Sequence, residues 1–211
     1  LTAGLRRDEH GRYGNEWSPR AYAVWRVAPA WTVKGGYSHG FKVPNLKQVV
    51  PGARPEGPNT FLGNPDLKPE RSDAIELGIG YAAGPMQAQL MAFDQRVDDL
   101  IEVRLVTPGA VPGIGTYTYE NLAKATLRGI EASAVQPLGA GFTGVVSYTY
   151  LDAKNGNGVR LERRPRHSAT VRLDWQHGPW RVGGTIEHAG DQLLPAGTPN
   201  TPAQPVPDLT M

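Results

Sequence analysis

A chain of 211 residues, 39% of them hydrophobic, with a mean hydropathy of −0.40, is too polar for a bundle of membrane helices; each such helix needs about 20 mostly apolar residues. The net charge is +2 and both signs are spread along the chain, which argues against a dedicated nucleic-acid surface built on a clustered basic stripe. There is no cysteine, so disulfides and cysteine-based metal or redox sites are excluded, and 26 glycines with 19 prolines predict many strands and turns.

Leu1 to His10 carries Arg6, Arg7, Asp8 and Glu9, so it does not read as a secretory leader. With no initiator methionine and an abrupt "VPDLTM" end, the chain is expected to be a piece of a longer one. A long connection is expected over Glu9–Trp17. Trp25 and Trp31 then flank the short turn Ala28–Ala30 in "WRVAPAW". In "WTVKGGYSHGF", Trp31, Val33, Gly35 and Tyr37 share an apolar face, the period-two pattern of a half-buried strand. A second long connection covers Lys42–Lys68. "AIELGIGYA" alternates again (Ile75, Leu77, Ile79, Tyr81) and meets a short turn at Ala83–Pro85.

"MQAQLMAFDQ" is ambiguous. Met86, Ala88, Leu90 and Ala92 fit one apolar face, but Met91 and Phe93 contradict a clean split. A long connection is expected over Asp98–Lys124. The uncharged run Ala132–Leu151 is broken by Pro137, Gly139, Gly141 and Gly144, which suits a turn and a strand rather than a spanning helix. "FTGVVSYTY" alternates (Phe142, Val146, Tyr148, Tyr150), and Asp152–Pro165 is a further long connection. "RHSATVRLDWQ" and "WRVGGTIEHAG" alternate on either side of the short turn His177–Pro179, which Trp175 and Trp180 flank. A long connection follows from Asp191. The Pro-rich stretches Pro51–Pro58 and Pro195–Pro207 read as surface loops, and no helix is expected.

Nine or ten strands of about ten residues, joined by turns that alternate short and long, match the habit of outer-membrane barrels. Trp25, Trp31, Tyr81, Trp175 and Trp180 all fall at the short-turn end. They are expected to form the aromatic girdle at the periplasmic boundary, where a ring with one polar atom suits both phases. The expected fold is all-β: a segment of an antiparallel transmembrane β-barrel with long external loops and short periplasmic turns. Two other readings share parts of this pattern, a passive porin or structural barrel and a soluble carbohydrate-binding β-sandwich.

"GYSHGFKVPNL" (Gly36–Leu46) followed by "GNPDLKPERSDAIELGIGY" (Gly63–Tyr81) resembles the barrel of TonB-dependent outer-membrane receptors. So do "YENLAKATLRGIEASA" (Tyr119–Ala134) and "RRPRHSATVRLDW" (Arg163–Trp175), with the nearest likeness to the catecholate-siderophore and colicin-receptor branch. The resemblance implies active uptake of a ferric siderophore or similar chelate across the outer membrane of a Gram-negative bacterium. It also implies the lipid bilayer, a TonB-like energy-coupling protein and, in that branch, colicin or phage as partners. The family's plug domain and energy-coupling box are not in this sequence, nor is its aromatic-ended last strand, so residues 1–211 are expected to be a middle-to-late part of the barrel.

No cofactor or metal site is expected, the siderophore being cargo. No Gly-x-Ser-x-Gly, phosphate loop or His-Glu-x-x-His motif occurs, so enzyme activity is not expected either. His10, His39, His167, His177 and His188 are scattered without ligand spacing. Asp94, Asp98, Asp99 and Glu102 read as a solvated charge cluster. Glu70 and Arg71 could pair at a strand mouth. Glu76 and Glu131 face inward, either to meet a basic group or simply to be solvated. Ferric catecholates are anionic and aromatic, so arginine and tyrosine are the groups to look for. The candidates are Arg54, Tyr117, Tyr119, Arg160, Arg163 and Arg164.

Overall fold

The computed structural model describes residues 1–111, 113–193 and 205–208. The strands are β1 (Thr2–His10), β2 (Gly14–Ala28), β3 (Trp31–Lys42), β4 (Ala53–Glu56), β5 (Asn59–Leu62), β6 (Glu70–Ala83), β7 (Met86–Pro108), β8 (Gly115–Gly139), β9 (Phe142–Asn155), β10 (His167–His177), β11 (Trp180–Ala189) and β12 (Pro205–Asp208), with one short helix α1 (Leu46–Val49). Ten of them form one meander in the order β1-β2-β3-β6-β7-β8-β9-β10-β11-β12, each antiparallel to the next. β4 and β5 lie off this path as a hairpin, and β5 runs parallel to β8. The fold is an antiparallel β-barrel wall.

Several expectations are corrected. Glu9–Trp17 is not a long loop, because β1 and β2 pair from Thr2↔Tyr22 to His10↔Gly14 and turn within three residues. Asp98–Lys124 is mostly a continuation of β7 and β8, paired as far as Pro108↔Gly115. Lys42–Lys68 holds α1 and the β4–β5 hairpin; Asn45 caps the helix, exchanging side-chain hydrogen bonds with Gln48. Part of the stretch read as a Pro195–Pro207 loop, residues 205–207, belongs to β12 on the edge of β11; residues 195–204 lie outside the described residues. Glu70 and Arg71 do not pair with each other. Glu70 meets Lys42 at 2.7 Å and Arg71 meets Glu16 at 2.7 Å.

Residues paired across an antiparallel ladder share a face, so the register sorts the two sides of the wall. One face carries Trp25, Val33, Ile79 and Leu90 in one row and Leu77, Ala92 and Ile130 in another. It continues through Val146, Val171 and Ile186. Its large side chains are open: Ile75 and Leu77 are 62% exposed and Trp180 is 70% exposed. A contiguous apolar face of this extent needs an apolar medium or a partner. Two sets of residues bound the band. At the short-turn end stand Trp25, Trp31, Tyr81, Trp175 and Trp180; Trp31 packs on Tyr81 at 4.8 Å between ring centroids, and Trp175 Nε1 donates to the Ala140 carbonyl at 3.1 Å. At the other end the same face turns polar, with Asp94 paired to Arg128 at 2.7 Å and Asp73 bonded to His39 at 3.0 Å.

The opposite face is polar, with Lys34 donating to Gln89 at 3.1 Å and Glu76 and Glu131 lining one hollow with Met91 and Phe93. This resolves the ambiguous strand. Met91 and Phe93 do face the polar side, over Gly78 and Gly129 of the neighbouring strands, which have no side chain of their own to fill the space. The buried apolar core is small. Val97, Ala125 and Ala153 sit at the external end of this face, and Leu161 folds over them from the segment after β9.

Candidate binding surface at the external end

Above the apolar band, two loop systems carry the candidate residues, and one buried carboxylate roots them. The root is Glu70, 8% exposed, which accepts from the Ile101 N–H at 2.8 Å and from Lys42 Nζ at 2.7 Å. It thereby ties the first residue of β6 to the end of β3 and to β7. The segment leading to it is held on β8 by amide side chains. Asn64 Nδ2 donates to the Tyr119 carbonyl at 2.9 Å. Asn121 Oδ1 accepts from the Lys68 N–H at 2.8 Å, and its Nδ2 donates to the Lys68 carbonyl at 3.0 Å. Leu67 is buried beneath this contact at 2% exposure. Pro65 and Pro69 stiffen the same path by fixing φ.

Phe61 of β5 stacks on Tyr117 at 5.4 Å and on Tyr119 at 5.8 Å, and Arg54 is its cross-strand partner on β4. The Arg54 guanidinium donates to the Lys47 carbonyl. Burial and the Glu56 carboxylate push the Tyr119 phenol above its ordinary range, against the opposing pull of Arg54 and Lys47. Tyr119 and Arg54 thus stand in one aromatic and basic patch. Tyr117 is committed elsewhere: it is 6% exposed and its hydroxyl donates to the Gly113 carbonyl at 2.9 Å.

The arginines of the segment after β9 divide similarly. Arg160 meets Asp191 at 2.7 Å and holds that carboxyl below its usual range. Arg164 meets Glu102 at 3.3 Å. Arg163 sits at φ 56°, its backbone N–H bonded to the Leu193 carbonyl at 2.7 Å and its side chain exposed. Arg160, Arg163, Arg164 and Tyr117 line one hollow of about 430 Å³ with Glu102 and Glu120. Arg54 and Tyr119 do not line it.

A larger hollow, about 780 Å³, opens on the polar face below, and sequence reading missed it. Arg6, Arg20, Lys42 and Arg164 line it together with Glu70; Lys42 pairs with Glu70, Arg6 with Asp8 at 2.8 Å and Arg164 with Glu102 at 3.3 Å. The hollow thus presents guanidinium and ammonium donors in a concave wall, which suits an anion that can compete for them. The signal was there for Arg20, which shares the polar face with Ser38 through the β2–β3 register. Arg6 was out of reach once residues 9–17 were read as a loop, because its face follows from pairing with Ser18. Phe61 was hidden inside the long Lys42–Lys68 connection. The acidic cluster is dispersed: Asp94 goes to Arg128 and Glu102 to Arg164.

A ten-strand meander with one apolar face, polar interior positions and extended external hairpins defines a segment of a large outer-membrane barrel. The profile of the family described as TonB dependent receptor-like, beta-barrel, matches residues 1–210, and the chain belongs to that family. It is 36% identical over 214 residues to the iron-regulated outer membrane virulence protein of Vibrio cholerae, covering 93% of this chain and 32% of the relative. It is 32% identical over 195 residues to the ferric enterobactin receptor of Pseudomonas aeruginosa, covering 83% of this chain and 26% of the relative. A crystal structure of a mutant of that receptor in complex with enterobactin superposes with a TM-score of 0.73 at 26% identity, covering 96% of this chain and 34% of the other. The copper transporter OprC shares the fold, at a TM-score of 0.70 and 20% identity over 91% of this chain and 31% of the other. The chain spans about a quarter to a third of the length of these curated relatives. The protein is an outer-membrane protein of the Gram-negative type.

Proposed function

We propose that this chain is the external-loop and wall portion of a receptor that takes up a ferric siderophore, driven through a TonB-like energy-coupling partner. The apolar band contacts acyl chains, and the five aromatic residues at the short turns anchor its periplasmic edge. The observation that carries the reading is the basic hollow lined by Arg6, Arg20, Lys42 and Arg164, set below the patch of Arg54, Phe61 and Tyr119. Guanidinium groups suit delocalised anions and stack on rings, and aromatic faces suit a catecholate. Arg54, Tyr119 and Arg163 are the first contacts from solvent. Arg160 and Arg164 hold the loops, and Arg164 also faces the hollow. The names of the relatives, a ferric enterobactin receptor among them, support an iron chelate as the cargo.

The test is growth of a strain lacking the whole gene on single iron sources. The reading expects loss of growth on at least one ferric siderophore, restored by the intact gene. Normal growth on every siderophore, with a defect on haem or cobalamin instead, replaces the cargo and leaves the receptor class standing.

A further inference from the structure

We propose that the outward face of β7, β8 and β9, just above the apolar band, seats a phosphorylated lipid of the outer leaflet. This holds whatever the cargo. Rows of paired residues define the seat. Ala92, Ile130 and Tyr150 form the last apolar row, Asp94, Arg128 and Asp152 the next, and Arg96, Thr126 and Lys154 the one above. Lys124 stands one row higher on β8, opposite Asp98. The short-turn rim of the same face is built differently: the row through Trp31, Tyr81, Ala88 and Ala134 holds no charged side chain. The two boundaries of the band therefore meet different chemistry, and only the external one offers cations.

Two of these cations are already held. Arg128 meets Asp94 at 2.7 Å and Lys154 meets Asp152 at 2.7 Å. Arg96 is left 3.9 Å from Asp94, with 73% of its side chain exposed. Lys124 is exposed, and among the described residues neither Asp98 opposite it nor any other carboxylate pairs with it. Arg96 and Lys124 both adjoin Thr126, the first about 5 Å away across the ladder and the second about 7 Å along β8. A planar guanidinium fork, an ammonium and a hydroxyl are the donors a phosphate takes. A phosphate monoester carries about −1.5 to −2 charges near neutral pH. Four cations, Arg96, Lys124, Arg128 and Lys154, face three carboxylates, Asp94, Asp98 and Asp152, so the seat is net positive without it. Two features select a lipid over a soluble anion. Open apolar surface lies directly below, with Ile130 43% and Leu90 47% exposed, so an acyl chain continues downward from a bound headgroup. The donors also face away from the lumen, where the basic hollow lies. Cations beside a membrane surface draw anionic headgroups in this way.

Native mass spectrometry of the full-length receptor in detergent micelles tests this, with bisphosphorylated lipid A and its dephosphorylated form as probes. The phosphorylated lipid is expected to bind roughly tenfold or more tightly than the other. The double variant Arg96→Ala with Lys124→Ala should lose most of that preference. Lys34→Ala, which removes a cation from the opposite, lumen-facing side of the wall, should keep it. The idea is overturned if the two lipids bind equally, if the double variant binds as the unmodified receptor does, or if Lys34→Ala weakens binding as much. Displacement of the lipid by an equal concentration of inorganic phosphate would show a bare anion site and overturn the lipid as occupant. Should the double variant fail to assemble, the comparison of the two lipids on the unmodified receptor decides the matter by itself.

Discussion

The ring of Phe93 lies over Gly129 on the polar face, so close that a β-carbon on the glycine would stand 2.6 Å from Phe93 Cζ. The Tyr150 carbonyl crowds the same point from the other side. A side chain at residue 129 therefore has to displace both a ring and a backbone. Gly129→Val is expected to destabilise the wall by roughly 1–3 kcal/mol through overpacking and to lower the yield of folded barrel. Adding Phe93→Ala restores only part of it, since the Tyr150 carbonyl remains. The folded fraction by heat-modifiable gel migration checks this; Gly129→Val folding as well as the unmodified receptor would refute it.

That contact also explains where sequence reading stopped. Strands with a clean apolar and polar split, such as Val33 to Tyr37 or Ala169 to Trp175, were legible because the pattern is local. Phe93 and Met91 broke the pattern for a non-local reason, glycines on neighbouring strands that leave room over them. The β7–β8 extension was read as loop because above the apolar band the hairpin no longer needs alternation to be stable. Asn121 and Asn64 were recognisable as parts of motifs, but their work, bonding one external segment to another, depends on a contact between residues more than fifty apart. Of the candidate arginines, sequence found the loop ones. It missed Arg6 and Arg20, which matter only because pairing turns them into the hollow.

Candidates without an ion pair separate by substitution from those held in one. Arg54→Ala and Arg163→Ala in the full-length receptor are expected to weaken binding of a ferric catecholate by roughly tenfold each, the scale of one charged contact. Loop protection should not change for Arg163→Ala. Arg160→Ala, by contrast, releases the segment from Asp191 and should raise protease sensitivity around residues 156–166. Equilibrium binding and limited proteolysis read the two effects separately. Unchanged affinity in both of the first two variants removes Arg54 and Arg163 from the site.

Glu102 gives the external region a pH dependence with a definite sign. Burial raises its carboxyl above the ordinary 4.5, the Arg164 charge opposes that, and Glu162 and Glu70 add to the rise. A raised value in the docked arrangement means the docked form holds the proton more tightly than the open one. Its contribution is therefore fully present below the ordinary value and is lost as pH rises through the raised one. Hydrogen-exchange protection of residues 159–164, corrected for intrinsic rates, should increase from about pH 7 to about pH 5. Glu102→Gln should flatten the change. Protection that falls on acidification would show that the ion pair with Arg164 outweighs the burial of Glu102.

Indole depth tests the central claim most directly. Single-tryptophan variants of the full-length receptor, retaining Trp25, Trp31 or Trp180 in turn, are reconstituted in bilayers of lipids brominated at different depths. If the apolar face meets acyl chains and the short turns mark its edge, all three fluoresce with strong quenching by bromines near the headgroup, weaker quenching by bromines near the chain ends, and little by aqueous iodide. Indoles that iodide quenches freely and no brominated lipid reaches would contradict the account.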